Sequence, residues 1–273
     1  AWAHANGFTG ARGAVLPIPG ADGALAGAFL GLGETTPSPL DIGKLARALP
    51  TGDWHFATAP KDPGLAALAL LMGGYAFTRY GTRLTPEIAF AAPEGADPEE
   101  ARRLADGIFL ARDLINTPAN DMGPDALEEA SRTLGQSHGA EIAVTTGDDL
   151  LARNFPMIHA VGRAGAIAPR LIDMQWGPEA APKVTLVGKG VCFDTGGLDI
   201  KPANSMLLMK KDMGGAANVL GLASMVMAAK LPVRLRVLIP AVENAIAGNA
   251  FRPGDVLKSR KGITVEIGKC RHC

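Results

Sequence analysis

Apolar and polar positions divide the chain into an Ala-, Gly- and Pro-rich first third and a longer stretch where strand-like and helix-like segments alternate. In the first third, short apolar runs at Ala14–Ile18 and Ala26–Leu32 lie between turn signals and predict strands. Leu65–Tyr80 predicts a buried helix, and Glu87–Ala92 a strand that stops at Pro93. These elements make a small α/β unit. Apart from the Ala bias there is no repeat and no low-complexity tract.

Asp97-Pro98-Glu99-Glu100 then carries the strongest helix start in the chain. Asp97 can cap, Pro98 suits the first helical position, and Glu100 stands at the capping-box position. Ala101, Leu104, Ala105, Ile108 and Ile115 share one face at helical spacing, and Asn116-Thr117-Pro118 ends the helix. The domain boundary is placed in the preceding loop, Glu94–Ala96, giving a shortened N-terminal α/β domain over 1–95 and a second domain over 96–273 opened by this linking helix.

Beyond it, Pro124–Leu134 predicts a helix and Glu141–Thr145 a strand. Arg170–Trp176 and Val184–Val187 predict strands, and so do Val233–Ile239 and Ile263–Ile267. Met213–Lys230 is apolar nearly all round and predicts a buried helix. Alternation of this kind implies an α/β/α layering around a mixed, largely parallel sheet with helices on both faces. The connection from Val187 to Met213 exceeds the length that compact domains usually leave unstructured, and it follows a strand end, where open α/β sheets place their ligands.

Composition narrows the function classes. Of 273 residues, 47% are hydrophobic and 20% charged, which excludes wholesale disorder. Lys+Arg and Asp+Glu both total 27, so zero net charge argues against bulk nucleic acid or an anionic membrane as partner. Three cysteines are too few for a disulfide framework, and two of them, Cys270 and Cys273, fall in the last four residues. No apolar run is long enough to span a membrane, and Ala1–Gly10 lacks the pattern of a signal peptide. A soluble cytoplasmic protein is expected. The chain begins on Ala1 rather than Met, as a fragment or processed chain would.

The candidate chemistry lies in the long connection. Lys189, Asp194, Lys201 and Asp212 are spaced along it, with glycines flanking the groups: Gly188 and Gly190, Gly196 and Gly197, Gly214 and Gly215. Glycine permits close backbone approach, and paired carboxylates suit a divalent cation that offsets their mutual repulsion. Plainer roles compete. Asp212 could cap the helix that begins at Met213. Lys189 and Lys201 could be solvated loop lysines. Gly188-Lys189-Gly190 lacks the Ser or Thr of a phosphate loop.

Three stretches together resemble the leucyl aminopeptidase family, the M17 metallopeptidases. They are Val187-Gly188-Lys189-Gly190-Val191-Cys192-Phe193-Asp194-Thr195-Gly196-Gly197, Ile200-Lys201-Pro202, and Met209-Lys210-Lys211-Asp212-Met213-Gly214-Gly215-Ala216-Ala217. Arg112–Asn120, Glu243-Asn244 and Arg252–Val256 resemble further family signatures. The match runs from about Arg112 to Gly268 and is weaker over the first 95 residues. The resemblance implies a metal-dependent aminopeptidase that releases N-terminal residues, Leu preferred, from peptide substrates. It implies two divalent ions, Zn²⁺ or Mn²⁺, and a homo-hexamer. Carried over by position, Lys189, Asp194 and Asp212 are metal ligands, with Asp194 bridging both ions. Lys201 is the catalytic lysine that polarises the scissile carbonyl, and Met209 lines the pocket for the first side chain.

The end of the chain departs from that pattern. The family continues Thr264–Gly268 into Asn-Thr-Asp-Ala-Glu-Gly-Arg, which supplies further metal ligands and a bicarbonate-holding Arg. Here Lys269-Cys270-Arg271-His272-Cys273 follows, with Arg271 and Cys273 at the Asp and Glu positions. The expectation is incomplete metal binding, little turnover by this chain, and doubtful hexamer assembly. Strand Ile263–Ile267 is expected to lie at a sheet edge without its continuation. The alternative is a non-catalytic binding or regulatory protein that keeps the fold.

Overall fold

The computed structural model describes residues 1–81 and 87–268. The chain divides into two compact units, Ala1–Asp106 and Gly107–Cys273.

In the first unit, a short helix α1 (Trp2–Ala5) precedes strands β1 (Val15–Pro19) and β2 (Leu25–Leu30), which pair antiparallel. A 3-10 turn over Pro39–Lys44 leads into α2 (Leu45–Ala48). Strand β3 (Gly52–Trp54) pairs in parallel with β4 (Ile88–Phe90), and α3 (Pro63–Gly74) lies between them in sequence. Leu45, Leu49 and Leu70 form a small core, packed by Val15, Leu30, Trp54 and Phe90 among others. Helix α3 is shorter than the pattern predicted, because the backbone turns extended at Tyr75, after the Gly73-Gly74 pair. Strand β3 carried no sequence signal.

Helix α4 (Pro98–Asn116) starts as predicted: the Asp97 carboxylate accepts hydrogen bonds from the Glu99 and Glu100 amides at 2.9 and 3.1 Å. The division between the two units falls inside it. In the second unit, α5 (Pro124–His138) ends on Gly139 in the left-handed region. Strand β5 (Glu141–Thr146) follows, then α6 (Asp149–Ala152), α7 (Pro156–Gly162) and β6 (Arg170–Trp176). Next come β7 (Lys183–Val187), β8 (Gly190–Asp194) and α8 (Ala203–Met206). A 3-10 turn over Met209–Met213 leads into α9 (Gly214–Ala228) and the long strand β9 (Arg234–Asn244). The short strands β10 (Val256–Lys258) and β11 (Thr264–Glu266) close the described chain.

The main sheet runs β5-β6-β9-β7, with β8 also on β9. It is mixed: β5–β6 and β6–β9 are antiparallel, and parallel pairing is confined to β7 and β8 against β9. One face buries Ile172, Met174, Leu235, Val237, Ile239 and Ala241 against Leu127 and Leu134 of α5 and Ala216, Leu220, Ala223 and Met227 of α9. On the opposite face, α7 meets the sheet where Gly162 faces Val242, a residue of opposite parity to Ala241.

Three differences from expectation bear on the site. The long connection contains a strand, β8, whose alternating burial marks it as sheet rather than loop. Helix α9, although apolar nearly all round, buries one face, and Leu222 on the other is 45% exposed, since a single sheet layer covers only one side of a helix. Strand β11 does not join the main sheet. It pairs antiparallel with β10 in a separate ribbon, because the Ser259–Gly262 turn returns the chain on itself, its Gly262 amide donating to the Ser259 carbonyl. Among the described residues, no helix is long and apolar enough to cross a membrane.

Candidate metal and catalytic centre

The site grows from the C-terminal ends of two neighbouring parallel strands. Strand β9 serves β7 and β8 in succession: Val187 registers with Leu238, and Gly190 with Ala241. Between those ladders sits Pro240. The Leu238 carbonyl accepts from the Gly188 amide, so the backbone of Pro240, two residues on, faces the same side. Its missing N–H falls in the gap where no partner strand needs it. Beyond the gap β8 runs alongside β9 to its end, where Asp194 registers with Asn244.

Asp194 is 4% exposed and held by three donors. Its Oδ1 accepts from the Gly196 amide at 2.9 Å and from Asn244 Nδ2 at 2.8 Å. Its Oδ2 lies 3.1 Å from Lys201 Nζ. Burial pulls its pKa upward. The Gly196 amide, the Lys201 ammonium and the Asn244 amide outweigh that and hold it below the ordinary carboxylate value. Gly196 has φ +87°, and a Cβ there would stand 2.3 Å from the Asp199 carbonyl oxygen, so the turn that aims its amide at Asp194 demands glycine.

Lys201 is 8% exposed. That removes the solvated-loop role considered for it. Its backbone is tied back to the strand end by donation to the Thr195 carbonyl.

Asp212 sits in the Met209–Met213 turn, which packs against β8. It does not cap α9: Met213 is the cap residue and no side-chain cap bond forms. Asp212 Oδ1 pairs with Lys189 Nζ at 2.9 Å, whereas Asp212 Oδ2 is buried with no hydrogen-bond partner. Lys189 keeps about half of its side chain exposed. Its backbone is clamped, because its carbonyl accepts from the Ala216 amide, and a Cβ on Gly215 would lie 2.8 Å from the Lys189 nitrogen. Lys210 Nζ donates to the Asn116 carbonyl at 2.6 Å and fastens the turn to the end of α4. Met209 is buried at the start of the same turn.

The four charged residues form two ion pairs, Lys189–Asp212 and Lys201–Asp194, and the turn that carries Asp212 packs against the strand that ends in Asp194. Among the described residues, no three His, Cys, Asp or Glu side chains cluster in metal-holding fashion. The donor set here is two carboxylates and a lysine amine. It fits a divalent cation on one specific ground: Asp212 Oδ2 is a buried anionic oxygen lacking any hydrogen bond, an arrangement that is costly unless a positive partner completes it. Cys192, two residues before Asp194, is not part of that set. Burial first, then Glu243 and Asp125, push its thiol up to about 12, so it stays protonated. The segment Lys269–Cys273, with Cys270, Arg271, His272 and Cys273, lies outside the described residues.

Gly196 is among the glycines that flank the predicted charged residues, whereas Asn244 enters the sequence reading only through the resemblance of Glu243-Asn244 to a family signature. The strand predicted over Val233–Ile239 ends before Pro240, whereas β9 runs on to Asn244. An uninterrupted apolar alternation on both sides of Pro240 was the available signal.

Comparison with known proteins agrees along the whole chain. The model of the cytosol aminopeptidase family, catalytic domain, matches residues 109–270, and that of the M17 aminopeptidase N-terminal domain matches residues 1–93. A probable cytosol aminopeptidase of Geobacter sp. (strain M21) is 37% identical over 225 residues, covering 77% of this chain and 46% of its own length. One from Corynebacterium glutamicum is 35% identical over 97% of this chain and 56% of its own length. Among solved structures, the cytosol aminopeptidase of Coxiella burnetii superposes with TM-score 0.90 at 46% identity, over 97% of this chain and 58% of its own. The bottromycin maturation enzyme BotP, solved in complex with Mn, superposes with TM-score 0.86 at 32% identity, over 97% and 61%. The chain spans about half the length of the curated relatives it matches. With both domain models matched in order and relatives at 35–37% identity covering most of the chain, this chain belongs to the M17 cytosol aminopeptidase family.

Proposed function

We propose that this chain carries the metal-binding and lysine portion of an aminopeptidase site that removes N-terminal residues, Leu among them, from peptides. Lys189, Asp194 and Asp212 would hold divalent metal, manganese or zinc. The single observation behind this is the buried, unpartnered Oδ2 of Asp212 beside the buried Asp194–Lys201 pair. Bound divalent ions supply Lewis-acid polarisation of a carbonyl and a water acidic enough to attack it. The chain's own residues do the rest. Asp194 pairs with Lys201 and fixes it in a buried position, so that its amino group is set for charge developing on a substrate oxygen. Met209, buried beside the turn that carries Asp212, supplies apolar surface for the substrate's first side chain. As a ligand, Lys189 would serve in its neutral amine form, which a positive neighbour favours.

The test is Mn²⁺ titration of the full chain by calorimetry, followed by hydrolysis of a leucine chromogenic substrate. Binding that is lost in Asp212→Asn, with turnover lost in Lys201→Ala, is the expected result. A folded chain that takes up neither Mn²⁺ nor Zn²⁺ overturns the metal reading and favours a binding protein that keeps the fold. That alternative draws on the small donor set among the described residues.

A further inference from the structure

Asn244 is a buried polar residue with no assigned role, and its bonding is unusual in its concentration on one neighbour segment. Its side-chain Nδ2 donates to Asp194 Oδ1 at 2.8 Å. Its backbone carbonyl accepts twice from Thr195, from the amide at 3.0 Å and from the hydroxyl at 2.8 Å. The far side of its amide is also bounded, because the space where a Cβ on Gly197 would sit is 3.0 Å from Asn244 Oδ1. The side chain is 8% exposed, so these contacts face no competition from bulk water.

The two oxygens of Asp194 are consequently unequal. Oδ1 receives two N–H donors, from Gly196 and Asn244. A carboxylate oxygen offers about two lone-pair sites in its plane, so Oδ1 has little capacity left. Oδ2 receives none of these amides and faces Lys201. A carboxylate can turn about its terminal torsion with little intrinsic preference, so the Gly196 amide alone would leave the choice of oxygen weakly determined. Asn244 stands at the end of β9, the strand that pairs with β6, β7 and β8.

We propose that Asn244 is a positioning residue for Asp194: it saturates Oδ1 from the end of β9 and thereby dedicates Oδ2 to the cationic partner, whether the Lys201 ammonium or a bound divalent ion. This deepens the metal reading above and rests on it only for the ion. The orientation of Asp194 toward Lys201 stands without it.

Two readouts on the full chain test it, using Asn244→Leu, close in volume but without the donor, and Asn244→Ala should the Leu variant not fold. The first readout needs no metal. Thr195 N–H bonds to the backbone carbonyl of residue 244, which every variant keeps, whereas Gly196 N–H bonds to the carboxylate that Asn244 orients. Amide hydrogen exchange is expected to speed up at Gly196 and stay slow at Thr195. The second readout is Mn²⁺ affinity, expected to weaken about 10–100-fold, as for other partners that orient a ligating group. Protection lost at both amides marks a merely structural role and overturns the proposal. So does protection kept at both, or an unchanged Mn²⁺ affinity. Failure of the unaltered chain to bind Mn²⁺ sinks the metal reading alone, and the exchange result then decides the role of Asn244.

Discussion

At the scale of single residues, the site is built from charges taken out of water and then paired. Asp194 and Lys201 are both less than a tenth exposed, and the Gly196 amide, Lys201 and Asn244 together compensate the buried Asp194 carboxylate. Removing Lys201 takes the cationic partner from a buried carboxylate, which costs about 3–5 kcal/mol. Lys201→Met is therefore expected to lower the unfolding free energy by that order in urea denaturation, and Asp194→Asn with Lys201→Met together to recover much of it. A double variant no more stable than the worse single one would contradict the pairing. Gly215 provides a second residue-scale check. A methyl group there meets the backbone of Lys189 at 2.8 Å, and backbone cannot rotate aside. Gly215→Ala should cost about 1–3 kcal/mol and disturb Lys189 and Asp212 together, read as parallel loss of stability and Mn²⁺ binding.

At the scale of elements, two contacts fix how helices and hairpins meet the sheet. Glu128 of α5 lies 2.6 Å from Arg170 at the start of β6 and 2.8 Å from Arg132 one helical turn on. Burial raises its pKa, but hydrogen bonds from Arg170 and Arg132 prevail and hold it below the ordinary value of 4.5. A lowered folded-state pKa stabilises the fold above the unfolded value and loses that contribution as pH falls through the folded one. The melting-temperature gap between the unaltered chain and Glu128→Gln should thus be full at neutral pH and close as the pH falls below 4.5 and through the lowered folded-state value. A gap that widens on acidification would refute the sign. On the far side, Arg260 in the β10–β11 turn donates to the Arg153 and Asn154 carbonyls and stacks over Phe155 at 4.4 Å. Asn154, itself at φ +61°, donates back to the Arg260 carbonyl. Arg260→Ala should speed hydrogen exchange across Val256–Glu266 while leaving β9 protected.

At the scale of the molecule, binding and stability are linked. A cation that binds the native chain and not the unfolded one stabilises it by about 2.7 kcal/mol at a hundred times its dissociation constant. Mn²⁺ should raise the melting temperature of the unaltered chain and leave that of Asp194→Ala unmoved.

The chain itself determined a good deal. The Asp97-Pro98 start of α4, the α5 and α9 helices and strands β5, β6 and β7 follow from local capping and from periods of 3.6 and 2, which act within a few residues and so are written in any short window. The stretches Val187–Gly197, Ile200–Pro202 and Met209–Ala217, taken as whole motifs, carry the resemblance that points to the family. Tertiary structure decided the rest, because it depends on partners far apart in sequence. It placed β8 inside an apparent loop and carried β9 past Pro240, through a gap in its ladder that no local pattern reveals. It sent β11 into a ribbon with β10 instead of the main sheet. It paired Lys189 with Asp212 and Lys201 with Asp194, and it set Asn244, fifty residues from Asp194 along the chain, where its amide chooses between two oxygens of one carboxylate.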